Sequence, residues 1–298
     1  MKSRMPTKII AVIPAYNEQE TIAEVIQGTK QYVDEVLVIN DGSTDGTKDI
    51  ALAHGATVVD NIVNRGLGPT IRRGYTETLN RGADIVVQLD ADGQYLPREI
   101  PLLVQPILDN RADLVLGSRL ENLQYRMPRI KKLGNIMFSW LIRSLAGADV
   151  RDAQTGFRAT RREALEMSMP ENRYTYTQEV ILRIAKNGWR IKSVPVTFKE
   201  RTSGESRLIS HPFHYAFSSL IIITRTMRDY HPFAFFGLPG ILLIIMGLIL
   251  GMAIVYKFAI AGFIGHTPAV VLTALMIILG AQLIFTGLIA DMLRRPRS

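Results

Sequence analysis

The chain has 298 residues, enough for more than one domain, and no cysteine, which excludes a disulfide framework and any zinc site built on thiolates. The formal net charge is +8, a basic surplus that suits nucleic acid, anionic lipid or a phosphorylated substrate. The N-terminal stretch has a basic head but only a short apolar run before Asn17 and Glu18, so it reads as a first strand and not as a signal peptide.

From residue 7 the pattern alternates strand and helix. Lys8–Ile13 is a strand, Glu20–Tyr32 a helix, Glu35–Ile39 a second strand, Thr47–His54 a helix and Thr57–Val59 a short strand. Gly68–Asn80 is predicted as a helix. Ala83–Val87, rich in β-branched residues, is a fourth strand buried on both faces and ending near Leu89. Leu114–Gly117 is a further strand, and Ile130–Ala146, Arg162–Met167 and Gln178–Asn187 read as helices. Ile191–Phe198 is a late strand that Pro195 assigns to a sheet edge. Repeated βαβ units imply an α/β fold with a doubly wound, mostly parallel, Rossmann-like sheet.

The last third differs. Ala234–Tyr256 and Pro268–Ala290 each run 23 positions without a charge. At about 1.5 Å per residue, each spans a hydrocarbon core of roughly 30 Å. The expectation is a transmembrane hairpin, with spans at about 234–256 and 268–290 inside a segment 234–298. Arg225 and Arg228 precede the first span, and Arg294, Arg295 and Arg297 follow the second. The positive-inside rule therefore puts the N-terminal domain and the C-terminus in the cytoplasm. Residues 208–233 mix Ile, Phe, Leu and Tyr with His211, His214, Arg225, Arg228 and Asp229, a pattern read as amphipathic helices in the membrane interface. Gly247, Gly251, Gly280 and Gly287 permit close helix packing and leave room for a homo-oligomer.

Chemistry concentrates after the fourth strand, in Gln88–Tyr95. Asp90, Asp92 and Gln94 project beyond the carboxyl end of a strand, where open α/β sheets bind ligands. Their hard oxygens suit Mg²⁺ or Mn²⁺, ions that usually neutralise phosphate. Pro14-Ala15-Tyr16-Asn17-Glu18 closes the first strand, and Asn40-Asp41-Gly42-Ser43-Thr44-Asp45-Gly46-Thr47 the second, at the same sheet edge.

Taken together, PAYNE, NDGSTDGT, NRGLGPTIRRG, LDADGQ and GSR, in that order, resemble family-2 glycosyltransferases of the GT-A fold over about residues 7–207. The resemblance implies an inverting, nucleotide-sugar-dependent, metal-using enzyme with residues 1–207 as its catalytic domain. By position, Pro14, Tyr16, Glu18 and Asp41 would hold the nucleoside, and Asp90, Asp92 and Gln94 the metal and diphosphate. Asn40 departs from the Asp that many relatives carry, which leaves Asp41 as the carboxylate there.

Gly117-Ser118-Arg119, Asp152-Ala153-Gln154-Thr155-Gly156-Phe157-Arg158 and Glu200–Arg207 further resemble the polyprenyl-phosphate branch, the relatives of dolichol-phosphate mannose synthase. The acceptor would be a polyprenyl or dolichyl phosphate at a membrane. Arg119 would bind its phosphate, with Arg129, Lys131 or Lys132 as a second basic contact, and Arg201 would close over the donor diphosphate. Asp92, Arg119 and Arg201 are the residues expected to carry the reaction. Glu179 lies where some relatives place a catalytic carboxylate, but is expected here to be a surface helical residue. GDP-mannose is the favoured donor, with UDP-glucose or UDP-N-acetylglucosamine as alternatives. A polysaccharide synthase would need more spans, and a non-catalytic scaffold would not need the acidic turn. Nucleic acid is not expected, because the basic surplus lies beside membrane and phosphate motifs.

Overall fold

The computed structural model describes residues 7–123, 129–170, 176–200, 231–262 and 267–293, with isolated helical positions between 221 and 228. The expected interfacial helices at 208–233 lie almost wholly outside the described residues, as does Arg201. The described residues form two compact units, one N-terminal and one C-terminal.

Continuous apolar runs make the centre of the N-terminal unit. β1 (Ile9–Ala15), β2 (Glu35–Asn40), β3 (Thr57–Asp60) and β4 (Ile85–Gln88) are mutually parallel, with Val12 of β1 paired to Leu37 on one side and Gln88 on the other. Alternation sends successive side chains to opposite faces. Ala11 and Ile13 therefore join a cluster with Ile22, Val25 and Ile26 of α1 (Ile22–Thr29) and Leu103 and Ile107 of α4 (Ile100–Leu108). On the other face α3 (Leu67–Asn80) brings its backbone at Gly74 against Val12 and Ile39. Water is excluded from both faces of β1, β4 and most of β2, which is why these runs are mostly apolar, while the edge strand β3 is half-buried.

The seven strands run β3-β2-β1-β4-β6-β5-β7. β2 and β3 lie to one side of β1 and β4 to the other, so the carboxyl ends of β1 and β4 flank the crevice that such a reversal opens. α2 (Thr47–Ala53) joins β2 to β3. Beyond β4 the sheet is mixed: β6 (Arg158–Arg161) is antiparallel to both β4 and β5 (Leu114–Leu123), while β7 (Ile191–Phe198) is parallel to β5. β7 occupies the edge, as Pro195 required. α5 (Arg129–Ala146), α6 (Arg162–Glu166) and α7 (Tyr176–Lys186) complete the unit.

Two elements carried no sequence expectation. α4 contains Pro101 at its start and Pro106 in its last turn. The first is tolerated where an amide has no helical partner, and the second reads as a break. Burial of Ile100, Leu103, Val104 and Ile107 outweighs that penalty. β6 has four residues, two of them arginine, and so lacks the apolar run of a central strand.

The C-terminal unit begins with a π-helical turn, Phe233–Gly237, that leads into a helix Leu238–Ala261, followed by a helix Thr267–Leu293. The stretches Phe233–Ile260 and Thr267–Leu293 are long and apolar enough to cross a bilayer, and both predicted spans fall inside them. Most of their large apolar side chains are exposed, Met252 at 69% and Ile249 at 63% among them. A soluble core helix would bury that surface, so hydrocarbon is its solvent and the chain is a membrane protein. The two helices touch closely where Gly240 meets Gly280: a Cβ on either would lie 2.6 Å from the other's carbonyl oxygen. Gly247, Gly251 and Gly287 likewise face side chains of the opposite helix or the π-turn. The glycines therefore serve contact within the hairpin.

Candidate active site

The loops after β1 and β2 are knitted together. Asn17 takes a left-handed conformation (φ 52°) directly after the strand, which Asn tolerates better than most residues. Its amide donates to Ser43 Oγ at 3.0 Å, and its side-chain oxygen accepts from the Thr44 amide at 2.8 Å. The Glu18 amide donates to Thr47 Oγ1 at 2.8 Å. Tyr16 and Glu18 thus follow the carboxyl end of β1 at one rim of the crevice, while Pro14 is buried within the strand. Asp41 sits deeper and is buried. Its carboxylate accepts from Asn61 Nδ2 at 2.7 Å and from the amides of Arg65 and Gly66, each at 2.9 Å. In this structure Asp41 shapes the 61–66 loop, and Asn40 donates to Asp60 at 2.8 Å.

The acidic turn is built by Gly93 (φ 72°) and closed by the Gln94 amide, which donates to Asp92 Oδ1 at 3.1 Å. Gln94 also reaches across the sheet. Its Nε2 donates to the Lys199 carbonyl and its own carbonyl accepts from the Lys199 amide, both at 2.9 Å. The side-chain oxygen is the Gln94 atom left for a ligand. Burial, and next the Asp92 charge, push the Asp90 carboxyl up to about 7, opposed by Arg119 and Arg158. A cation between the two carboxylates would relieve both penalties. Among the described residues no group of three or more His, Cys, Asp and Glu side chains gathers. Two carboxylates and an amide oxygen fit a hard divalent ion that completes its shell with water and substrate phosphate.

Arg119 enters the same crevice from β5. Its Nε and Nη2 donate to Asp152 Oδ2 and Oδ1 at 2.7 and 3.0 Å, a bidentate pair that leaves Nη1 outside it. The guanidinium also lies 5.3 Å from the centre of the Phe198 ring. Asp152 is fully buried, so this pair is stronger and less adjustable than a surface one. Arg158, also fully buried, donates to the carbonyls of Thr155 and Thr177 and acts electrostatically on Asp90. Tyr95 lies between Phe157 and Phe198, at ring distances of 5.1 and 4.9 Å. Burial pushes its phenol up to about 12, so it stays protonated.

The structure thus brings Asp90, Asp92, Gln94 and Arg119 to one edge, with Tyr16 and Glu18 at the rim and Pro14 buried in the strand beneath. The side chains of Arg129 and Lys131 lie outside the described residues, and Lys132 is exposed on α5. One expectation is corrected: Glu179 is not a surface residue. It is 2% exposed and ion-paired to Arg183 at 2.8 Å, because every residue from Tyr176 to Leu182 in α7 is buried. Reading the chain by motif also missed Asp152 and Arg158 as individual groups. A buried guanidinium needs acceptors, and those of Arg119 come from Asp152, the acid that opens DAQTGFR, 33 positions away, which no local pattern in the sequence signals.

The family described as Glycosyl transferase family 2 matches residues 10–167. Over 294 residues the chain is 30% identical to glycosyltransferase AglJ of Haloferax volcanii, covering 97% of this chain and 94% of the relative. It is 33% identical to the undecaprenyl-phosphate mannosyltransferase of Micrococcus luteus, covering 67% of this chain and 87% of the relative. A crystal structure of glucosyl-3-phosphoglycerate synthase from Mycobacterium tuberculosis with Mn²⁺, UDP-glucose and phosphoglyceric acid superposes with a TM-score of 0.57 at 26% identity. That match covers 73% of this chain and 80% of the other, and the sheet they share is of the expected GT-A type.

Proposed function

We propose a reaction for this chain, which belongs to glycosyl transferase family 2: it moves a hexose from a nucleotide sugar to a polyprenyl or dolichyl phosphate, with inversion at C1. The observation that carries the reading is the meeting of the Asp90–Asp92 pair with Arg119 at one sheet edge, in a chain that also carries a membrane hairpin. The polyprenyl-phosphate acceptor is supported by the name of the Micrococcus luteus relative. α5 supports it too. Leu133, Ile136, Met137 and Trp140 form an exposed apolar face, with Trp140 68% exposed, beside exposed Lys132 and Arg143. Such a face suits the boundary between acyl chains and headgroups.

The residues divide the work. Pro14, Tyr16, Glu18 and Asp41 hold the nucleoside, and Arg201 closes over the diphosphate. Asp90, Asp92 and the Gln94 side-chain oxygen hold the divalent cation, Mg²⁺ or Mn²⁺, which when bound neutralises charge on the diphosphate. Arg119, through Nη1, and a second basic residue among Arg129, Lys131 and Lys132 grip the acceptor phosphate. That phosphate is already anionic near neutral pH, so an oxygen attacks C1 without a strong base as the bond from C1 to the diphosphate breaks. Holding two anionic groups in line is the main task of the protein, and fixed charges perform it. GDP-mannose is the favoured donor. UDP-glucose gains support from the Mycobacterium tuberculosis structure, and UDP-N-acetylglucosamine stands beside it as the other alternative, supported by the name of a 31% identical relative from Methanococcus voltae. The catalytic unit, proposed as residues 1–207, faces the cytoplasm, followed by interfacial helices to 233 and the hairpin from 234.

The test is a donor panel: purified full chain in vesicles, a short polyprenyl phosphate, Mn²⁺ or Mg²⁺, and each of the three nucleotide sugars. Release of nucleoside diphosphate together with a lipid-linked sugar is expected for one donor. Donor hydrolysis without lipid product, or no turnover with any donor, overturns the reading.

A further inference from the structure

The turn between α5 and β6 touches both halves of the crevice. At one end Asp152 holds Arg119 by two side-chain bonds and accepts a third, at 3.3 Å, from its backbone amide. At the other end Gly156 lies against the Asp90 carboxylate, so closely that a Cβ would collide with both of its oxygens. The five residues between and including these two are fixed from several sides. The Ala153 amide donates to Ser139 Oγ of α5 at 3.0 Å, and the Gln154 amide to Asp152 Oδ1 at 3.1 Å. The Gly156 amide donates to the Tyr95 hydroxyl at 3.1 Å, which also lies 3.3 Å from Thr155 Oγ1. Tyr95 in turn is wedged against Phe198, whose ring carries the Arg119 guanidinium.

Neither Asp152 nor Gly156 is placed to meet substrate through its own side chain. Asp152 is fully buried with both carboxylate oxygens engaged, and Gly156 has no side chain. Their chemistry is directed inward, to the two groups that do face the crevice. An arginine side chain is long and rotamer-rich, and a bidentate carboxylate removes that freedom and aims the remaining nitrogen. A carboxylate backed by a glycine can settle nearer to the backbone than any other residue would allow. We infer that the turn from Asp152 to Gly156 sets the separation between Arg119 and Asp90, with Asp152 and Gly156 as positioning residues for the acceptor phosphate and the donor-bound cation respectively. This rests on the roles proposed above for Arg119 and Asp90.

Two substitutions divide the turn. Asp152→Asn keeps the shape but removes the charge and one acceptor. It is expected to raise the KM for polyprenyl phosphate about 10- to 100-fold, the range for groups that orient a ligand-binding residue, with donor KM unchanged. Its effect should vanish in an Arg119→Gln background, because a residue acting through another adds nothing once that other is gone. Gly156→Ala is expected to weaken Mn²⁺-dependent binding of nucleoside diphosphate about tenfold by calorimetry, while binding without metal stays as in wild type. If Asp152→Asn does not fold by circular dichroism, Asp152→Glu, which keeps the charge but displaces it by one methylene, takes its place; if Gly156→Ala does not, Tyr95→Phe, which removes the acceptor of the Gly156 amide, does, each with the same expected readout. An acceptor KM unmoved by the Asp152 change, an additive double variant, or unchanged Mn²⁺-dependent binding in the Gly156 variant overturns the inference. A wild-type chain that binds no Mn²⁺–nucleotide or forms no lipid-linked sugar overturns the functional reading itself, and the two failures are thereby told apart.

Discussion

The two sides of the crevice are built on different physics. On one side, β1 to β4 are parallel and mostly apolar, and their loops are joined by hydrogen bonds among neighbouring turns, such as Asn17 to Thr44 and Asp41 to Gly66. On the other side, β5 to β7 form a mixed sheet with buried charge, Arg119 on Asp152 and Arg158 against backbone carbonyls, while Arg183 pairs with Glu179 within α7. Loops tied by single hydrogen bonds between neighbouring turns can adjust to what they meet. Buried ion pairs are rigid, and they become costly when one partner is removed. The β1–β4 side is thus the more adjustable of the two and the β5–β7 side the more rigid.

That contrast can be broken at several points. Asp92→Ala should cost the most, about 100- to 1,000-fold in turnover, with the fold intact; near-full product formation by the variant would remove the metal role. Chelation should have the same effect on wild type, reversed by added Mn²⁺ or Mg²⁺. Arg119→Ala should lower kcat/KM for the acceptor roughly a hundredfold, about 3 kcal/mol, while donor affinity holds. It should also destabilise the fold by about 3 kcal/mol in urea, because Asp152 is left charged and buried. An acceptor-specific loss without that destabilisation would show the pair to be looser in solution.

Asp90 supplies a pH test. Its carboxyl is raised from 3.8 to about 7, chiefly by burial. The folded state therefore prefers the protonated acid, and the penalty for ionising it grows as pH rises from about 4 to about 7. Metal-free wild type should lose stability across that interval relative to Asp90→Asn, and Mn²⁺ with nucleoside diphosphate should restore it. Parallel pH profiles for the two proteins would refute the shift. Trp140→Ala should matter least: exposed as it is, its removal should alter stability by no more than about 0.5 kcal/mol. Yet it should raise the acceptor KM about threefold in vesicles if α5 meets the bilayer, and identical kinetics would detach that face from lipid.

Legibility in the sequence followed the same divide. Parallel strands announce themselves by apolar runs, and their turns carry Gly, Asp and Asn at the carboxyl ends, so PAYNE, the Asp41 turn and LDADGQ could be placed at one edge before any coordinates. The apolar spans were equally plain, since a run of 23 uncharged residues has few other uses. α4 was hidden by its two prolines and β6 by its two arginines. Glu179 was misjudged because α7 buries its first two turns on all sides, so the usual assignment of a helical glutamate to solvent did not apply.

Local pattern alone determined which segments become strands, where the acidic turn falls and which helices need hydrocarbon, because each of these depends on neighbours within one or two turns of chain. Tertiary structure alone decided that β6 enters the sheet reversed, that Asp152 takes Arg119, that Gly156 backs Asp90 and that Asp41 supports the 61–66 loop. Those choices pair residues 20 to 76 positions apart. The partner of a buried charge is set by which segments the sheet brings together, and no period in the sequence encodes that.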